Sequence, residues 1–278
     1  MTPILSNWFP PSRDTWQLLA YAWQFFPIMT VSQWIISWYP QGKTSVESHL
    51  NLPGRYAWCV MEMPGFLTVL YCMLALPPKL GFDSLPTPNW ALASCYTIHY
   101  IYRAIISPLV LNPSMSPIHT FVFLSAFTWQ MINGLCLGGW LGGYGPTTAQ
   151  DWAARGTSLH LGLAVWACGF LGNVYHDQIL RDIRVVARRQ ASDQNIDKHY
   201  EIPTRGWFRY ILYPHYLCEW IEWAGFWLAG GSNCVPARSF VLNEISTMLP
   251  RALQGRRWYI ARFGREVGHR KAVLPGIL

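Results

Sequence analysis

Long apolar runs separated by short polar breaks dominate the chain. Runs of roughly 20 mostly apolar residues, enough to cross a bilayer as a helix, lie at 16–39, 56–76, 90–111, 120–143, 152–175 and 207–231. A seventh run, 235–253, is interrupted by Arg238, Asn243, Glu244 and Pro250. Breaks fall at Pro40, Pro77-Pro78, Pro86, Pro88, Pro113, Pro117, Gly145-Pro146 and Pro203, all turn signals at loop positions. No run alternates with the period of a half-buried strand, and no internal repeat is visible. The pattern predicts an all-α integral membrane protein, a bundle of about seven transmembrane helices. Gly134, Gly138 and Gly142 recur every four residues in the fourth run, a spacing that lets helix backbones approach closely.

Composition agrees. Hydrophobic residues make up 51% and charged residues 13% of 278, about half the usual charged share of a soluble domain. The 16 Trp and 14 Tyr include several at the ends of apolar runs, where amphipathic rings meet the membrane–water boundary. The mean hydropathy of only +0.14 requires substantial polar segments outside the bilayer or inside a cavity. The net charge of +7 is concentrated: of 21 Lys and Arg, six lie within 181–205 and seven within 251–271. Seven crossings place both clusters, and the C-terminus, on the cytoplasmic side. Without the seventh run they would face opposite compartments. Basic residues placed this way suit anionic headgroups, and no nucleic-acid partner is expected. The seven cysteines are scattered without a CxxC pair, so neither a disulfide framework nor a metal site is implied. Residues 1–14 lack a basic stretch followed by an apolar core, so no cleaved signal peptide is expected.

Ionisable groups inside membrane runs are costly and usually face a cavity or the bundle interior. The second run carries Glu62, a lone carboxyl in apolar surroundings, which favour its neutral, proton-donating form. The alternative is an interfacial glutamate near the start of the span. In the third run Tyr96, His99, Tyr100 and Arg103 share adjoining strips of one helix face, so they line a cavity unless Arg103 snorkels to an interface. At the end of the fifth run Asn173, Asp177, Arg181 and Arg184 recur at four, four and three. That stripe suits a phosphate-bearing ligand, or is simply a helix end emerging into solvent. In the sixth run His215, Glu219 and Glu222 share a face at mid-membrane depth, which packing alone explains poorly.

Several chemistries lack their residues. The eight histidines form no HxxxH, HxxHH or HExxH pattern, which removes membrane di-iron oxygenases and the commonest zinc hydrolases. GxGxxG, GxxxxGK and GxSxG are absent, so a dinucleotide would bind without a Rossmann or P-loop element.

One ordered set of residues goes further. Tyr200-Glu-Ile-Pro203, Gly206-Trp-Phe208, Tyr210, Pro214-His-Tyr216, Glu219 and Glu222-Trp223 closely resemble the C-terminal signature of the steroid 5α-reductase family. Matches continue through Asn173 to Arg184 and through Arg257-Trp-Tyr259 to Arg270, Lys271 and Pro275. Upstream, Ala57-Trp58, Glu62-Met-Pro64 and His99-Tyr100 with Arg103 also fit. The resemblance covers about residues 55–278, a membrane reductase domain. Residues 1–54, with the first transmembrane helix, contribute no motif.

The resemblance implies a seven-helix bundle enclosing a cofactor and substrate cavity, in which NADPH reduces a carbon–carbon double bond conjugated to a carbonyl. It implies that Glu62 and Tyr100 donate hydrogen bonds to that carbonyl. It implies cofactor contacts at Arg103, Asn173, Asp177, Arg184, Tyr200, His215, Glu219 and Tyr259. Arg181 is added from the basic stripe, and Arg184 is expected on a phosphate. Trp58, Met61, His99 and Glu222 are expected on the substrate side. The family also implies the endoplasmic reticulum as location. Met61 stands where steroid-reducing members usually carry Gln, Glu201 where a basic residue is common, and Gly255-Arg256 where a histidine pair is often found. The loop 187–199 looks longer than the family's. The expected substrate is a 3-oxo-4-ene steroid or a similar lipophilic enone. The alternatives are a very-long-chain enoyl-CoA, a polyprenol-type lipid, or a non-catalytic lipid-binding role.

Overall fold

The computed structural model describes residues 7–36, 47–112, 114–190 and 200–277. The first six residues, the end of the first apolar run and most of the 187–199 loop lie outside the described residues. The described chain is nearly all helix. Among the described residues, three helices are long and apolar enough to cross a membrane, at Gly54–Leu80, Thr120–Tyr144 and Thr157–Ala187.

The first run does not form one continuous helix. It gives α1 (Arg13–Trp23), α2 (Phe26–Met29) and α3 (Ser32–Ile35). Ser12 caps α1 by accepting from the Thr15 N–H at 3.3 Å. Pro27 in the first turn of α2 cannot donate into a continuing helix, so the chain breaks and turns there. The rod α4 (Gly54–Leu80) carries Glu62 and ends at Gly81, whose φ of 79° is the left-handed cap glycine tolerates best. Next, α5 (Thr87–Tyr100) continues through a wide-turn π-helical segment, Ile101–Leu111, containing Pro108. Such segments are rare and often found at functional sites. A similar wide turn, Trp140–Tyr144, extends α6 (Thr120–Gly139).

A two-residue antiparallel pair, β1 (Asn51–Leu52) with β2 (Ile118–His119), ties the start of α4 to that of α6. The short α7 (Ala149–Ala153) opens with a capping box between Thr148 and Asp151. It leads into α8 (Thr157–Gln190). The sixth run begins as a 3₁₀ turn, Gly206–Arg209, and becomes helical only at Pro214, giving α9 (Pro214–Gly230). Pro214 sits where its missing N–H costs nothing. The weakest run forms the 29-residue α10 (Val235–Phe263), unbroken at Pro250. After it the chain returns beside α9: Leu212 and Tyr213 donate to Lys271 O and Ala272 O, each at 2.9 Å.

Lipid offers no solvophobic drive between helices, so close contact and internal hydrogen bonds hold the bundle. The α6 glycines meet α4 as their spacing predicts. A Cβ on Gly134 would lie 2.7 Å from Gly65 O, and one on Gly138 or Gly142 would lie 2.8 Å from Cys72. A second seam joins α8 to α9, where a Cβ on Gly169 would stand 2.7 Å from Cys218 O. Between the seams, Trp223, Tyr96, Phe226 and Phe240 are fully buried. Asn89 closes one end of the bundle. It donates to Leu141 O and Pro146 O, both at 2.8 Å, and accepts from the Trp152 indole at 2.7 Å.

Candidate active site

A cavity of about 440 Å³ opens between α4, α5, α6, α10 and the short α2 and α3 helices. Most of its wall is apolar: Phe26, Met29, Met61, Val122, Trp129 and Met248. Its polar lining includes Glu62, Tyr100, Arg103 and Gln130, together with Glu244 and Arg251. Glu62 is 7% exposed and Tyr100 2%. Glu62 reaches the cavity from the inner face of α4, and Tyr100 from the last turn of α5 before the π-helical segment. The Gln130 amide on α6 donates to Glu62 Oε2.

Behind this region α5, α8 and α9 meet through a buried polar network. His99 Nδ1 lies 2.8 Å from Glu222 Oε1, and Glu219 Oε2 lies 3.6 Å from Arg103 Nη1. The Asn173 amide donates both to Glu219 Oε2 at 3.1 Å and to His215 O at 3.0 Å. Arg103 also stacks its guanidinium 5.2 Å from the Trp58 ring centroid, while the Trp58 indole donates to Arg103 O at 3.2 Å. Charge is tolerated at this depth because each group is answered by another.

A separate groove of about 220 Å³ runs along the far side of Arg103. The α8 stripe supplies Asn173, Asp177, Arg181 and Arg184, facing His99, Tyr102, Asn112 and His215. Arg181 is buried and committed, donating to the Tyr102 hydroxyl at 2.7 Å and to Gln178 Oε1 at 3.1 Å. Arg184 is exposed and makes a long contact of 3.5 Å to Asn112 Oδ1. The groove and the cavity share Trp58, Arg103 and Tyr216 in their walls, so those three side chains separate one from the other.

Of the residues singled out in the sequence, Glu62, Tyr100, Trp58, Met61 and Arg103 line the cavity. Arg103, Asn173, Asp177, Arg181, Arg184 and His215 line the groove. His99, expected on the substrate side, lines the groove, and Glu222 lines neither space but holds His99. Glu219 sits between the two spaces as the acceptor of Asn173. Tyr200 and Tyr259 line neither space but sit in an aromatic cluster with Trp258 and Phe263, where Tyr200 and Trp258 ring centroids are 5.0 Å apart and Tyr259 is within electrostatic reach of the groove's Arg184. Sequence reasoning missed Gln130, Glu244 and Arg251, all in the cavity wall. Glu244 and Arg251 were legible as charges seven residues apart, two helical turns on one face. Gln130 carries no charge, and its signal was a polar residue three positions before Asn133 in an apolar run.

Comparison with known proteins gives a consistent answer. A family model described as 3-oxo-5-alpha-steroid 4-dehydrogenase matches residues 115–278. The chain is 35% identical over 259 residues to the uncharacterized protein C9.08c of Schizosaccharomyces pombe, covering 86% of this chain and 91% of that one. It is 30% identical over 229 residues to mouse 3-oxo-5-alpha-steroid 4-dehydrogenase 1, covering 82% and 83%. It is 29% identical over 255 residues to steroid 5-alpha-reductase DET2 of Solanum lycopersicum, covering 90% and 91%. On the match over more than half its length and on these relatives, the chain belongs to the 3-oxo-5-alpha-steroid 4-dehydrogenase family.

Proposed function

We propose that the protein is a membrane-embedded, NADPH-dependent reductase of a carbon–carbon double bond conjugated to a carbonyl, with a 3-oxo-4-ene steroid as the leading substrate class. One observation carries this reading above others. An apolar cavity lined by Glu62 and Tyr100 adjoins a groove lined by Arg103, Arg181 and Arg184, and the two spaces share Trp58, Arg103 and Tyr216 in their walls. The names of the mouse and tomato relatives support the substrate class.

The groove fits a dinucleotide in the chemistry of its donors. The exposed Arg184 guanidinium suits phosphate, Asn173 and Asp177 suit amide and hydroxyl groups, and the buried His99 Nε2 has no hydrogen-bond partner among the described residues. About 220 Å³ is below the usual range of about 300–1,000 Å³ for a small-molecule site, so the groove takes part of the cofactor. When bound, NADPH supplies the hydride that adds at the β-carbon of the enone. The chain then has to hold the carbonyl oxygen as enolate charge develops on it, and a neutral Glu62 carboxyl and the Tyr100 hydroxyl are both donors placed to do so. The apolar wall of Met61, Val122, Trp129 and Met248 orients a flat hydrophobic skeleton and excludes water.

Around this site the first-run helices α1–α3 together with α4, α5, α6, α8, α9 and α10 form seven crossings, with the two basic clusters and the C-terminus cytoplasmic. The endoplasmic reticulum is the proposed location. Met61 and Arg251 in the cavity wall favour a second reading, reduction of an enoyl-CoA or polyprenol-type lipid, since an arginine at the entrance would meet an anionic head.

Purified protein in detergent tests the proposal by NADPH binding. Saturable binding weakened in Arg184→Glu supports it. No binding at any concentration tested overturns it.

A further inference from the structure

Gln130 is 4% exposed and is joined on both sides. Its amide nitrogen donates to Glu62 Oε2, and its Oε1 accepts from the Tyr96 hydroxyl at 3.5 Å. The Tyr96 oxygen in turn accepts from Asn133 Nδ2 at 3.1 Å, and Asn133 Oδ1 accepts from the Trp23 indole at 3.2 Å. Four helices contribute: α1 with Trp23, α6 with Asn133 and Gln130, α5 with Tyr96, and α4 with Glu62. Room for the amide is made at Gly65, where a Cβ would stand 3.2 Å from Gln130 Cδ and 3.0 Å from the Tyr96 hydroxyl.

The direction of this chain of bonds is fixed at its far end. An indole N–H can only donate. It therefore faces the oxygen of Asn133, which turns the Asn133 NH₂ toward Tyr96. With its oxygen accepting from Asn133, the Tyr96 hydroxyl points its hydrogen at Gln130 Oε1. That matches the amide orientation observed, in which the Gln130 NH₂ faces Glu62. Reversing Asn133 would set its NH₂ against the Trp23 N–H, two donors face to face inside the bundle, at a cost of about 1–3 kcal/mol per unmet group.

We propose that Gln130, polarised through Trp23, Asn133 and Tyr96, is a positioning residue that sets the Glu62 carboxyl. Oε2 is held as an acceptor, so the proton of neutral Glu62 resides on Oε1, the oxygen left to donate to the substrate carbonyl. The same amide lies beside the Tyr100 hydroxyl, so one side chain aligns both donors. The inference rests on the function proposed above, but its structural part does not need turnover to be read.

The test uses full-length protein in nanodiscs with three variants. Infrared spectra recorded without added ligand, with that of Glu62→Gln subtracted, give the Glu62 carboxylic C=O band. In Gln130→Leu that band moves to higher wavenumber, because the carbonyl oxygen has lost its donor. Trp23→Phe, which keeps an aromatic side chain but removes the indole N–H, broadens or splits it as the amide orientation is released. With turnover, Gln130→Leu lowers kcat about ten- to a hundredfold, less than outright loss of an oxyanion donor, while the Kd for NADPH stays unchanged because Gln130 does not line the groove. A Glu62 band unmoved in both Gln130→Leu and Trp23→Phe overturns the inference, as does wild-type kcat in Gln130→Leu. If the wild type reduces no enone, the proposed function fails instead, and the band shift alone decides the role of Gln130.

Discussion

Asn173 is the joint on which the three-helix polar network turns, and replacing it with Leu isolates its contribution. The two side chains have the same branched four-atom skeleton and Leu is not smaller, so the variant removes two hydrogen bonds without opening a cavity. One bond runs to His215 O at 3.0 Å. That carbonyl lies in the first turn of α9 and still accepts from the Glu219 N–H four residues on, so its loss costs at the low end, about 0.5 kcal/mol. The other runs to Glu219 Oε2 at 3.1 Å. A hydrogen bond to a charged group contributes about 1.5–3 kcal/mol, and Glu219 is only 2% exposed, so water cannot replace the amide. Arg103 at 3.6 Å remains as a partner and keeps the loss from reaching that of an unpaired buried charge. Asn173→Leu should therefore lower stability by about 2–3 kcal/mol. Urea unfolding in detergent, followed by tryptophan fluorescence, measures it. Because Asn173 lines the groove, NADPH affinity should fall as well. A stability within about 0.5 kcal/mol of wild type, the scatter of neutral surface changes, would refute the network as drawn.

Three further outcomes follow from the same geometry. Gly169→Val drives α9 away from α8, costs about 1–3 kcal/mol by overpacking, and weakens NADPH binding along with stability, since α9 carries His215 and Glu219; equal binding in the variant contradicts the seam. Asn89→Leu strands two carbonyls and an indole at the end of the bundle and should lower stability by about 2–4 kcal/mol without changing NADPH affinity. In the α7 capping box, hydrogen bonds from Thr148 first and then Thr147 hold the Asp151 carboxyl below the ordinary aspartate range. A depressed folded value means the contribution is present above the unfolded value and lost as pH falls through the folded one. Carbon-13 titration of Asp151 should show that low inflection, and Thr148→Ala should raise it.

How much could be read beforehand depended on whether a feature was local. The α8 stripe was legible because spacings of four, four and three put Asn173, Asp177, Arg181 and Arg184 on one helix face wherever the helix packs. The glycine seam of α6 was legible for the same reason. The breaking of the first run at Pro27 was not, because apolar content alone does not distinguish one rod from three short helices folded over a cavity. Nor was the second seam, whose glycines sit on two helices and meet only in three dimensions. The partner of Glu62 lies 68 residues away on α6, and no pattern within either helix joins them. His99 and Glu222 were both placed on the substrate side, yet their mutual contact turns His99 toward the groove.

The most direct test of the central claim is NADPH oxidation by membranes carrying the protein, with a panel of 4-ene-3-keto steroids and enoyl-CoAs, wild type beside Glu62→Gln. The account predicts steroid-dependent oxidation by the wild type. It predicts a loss of about a hundredfold or more in Glu62→Gln, with NADPH affinity unchanged because Glu62 lines the cavity and not the groove. Oxidation only with an enoyl-CoA would move the substrate to the second reading. Undiminished turnover in Glu62→Gln would contradict the account outright.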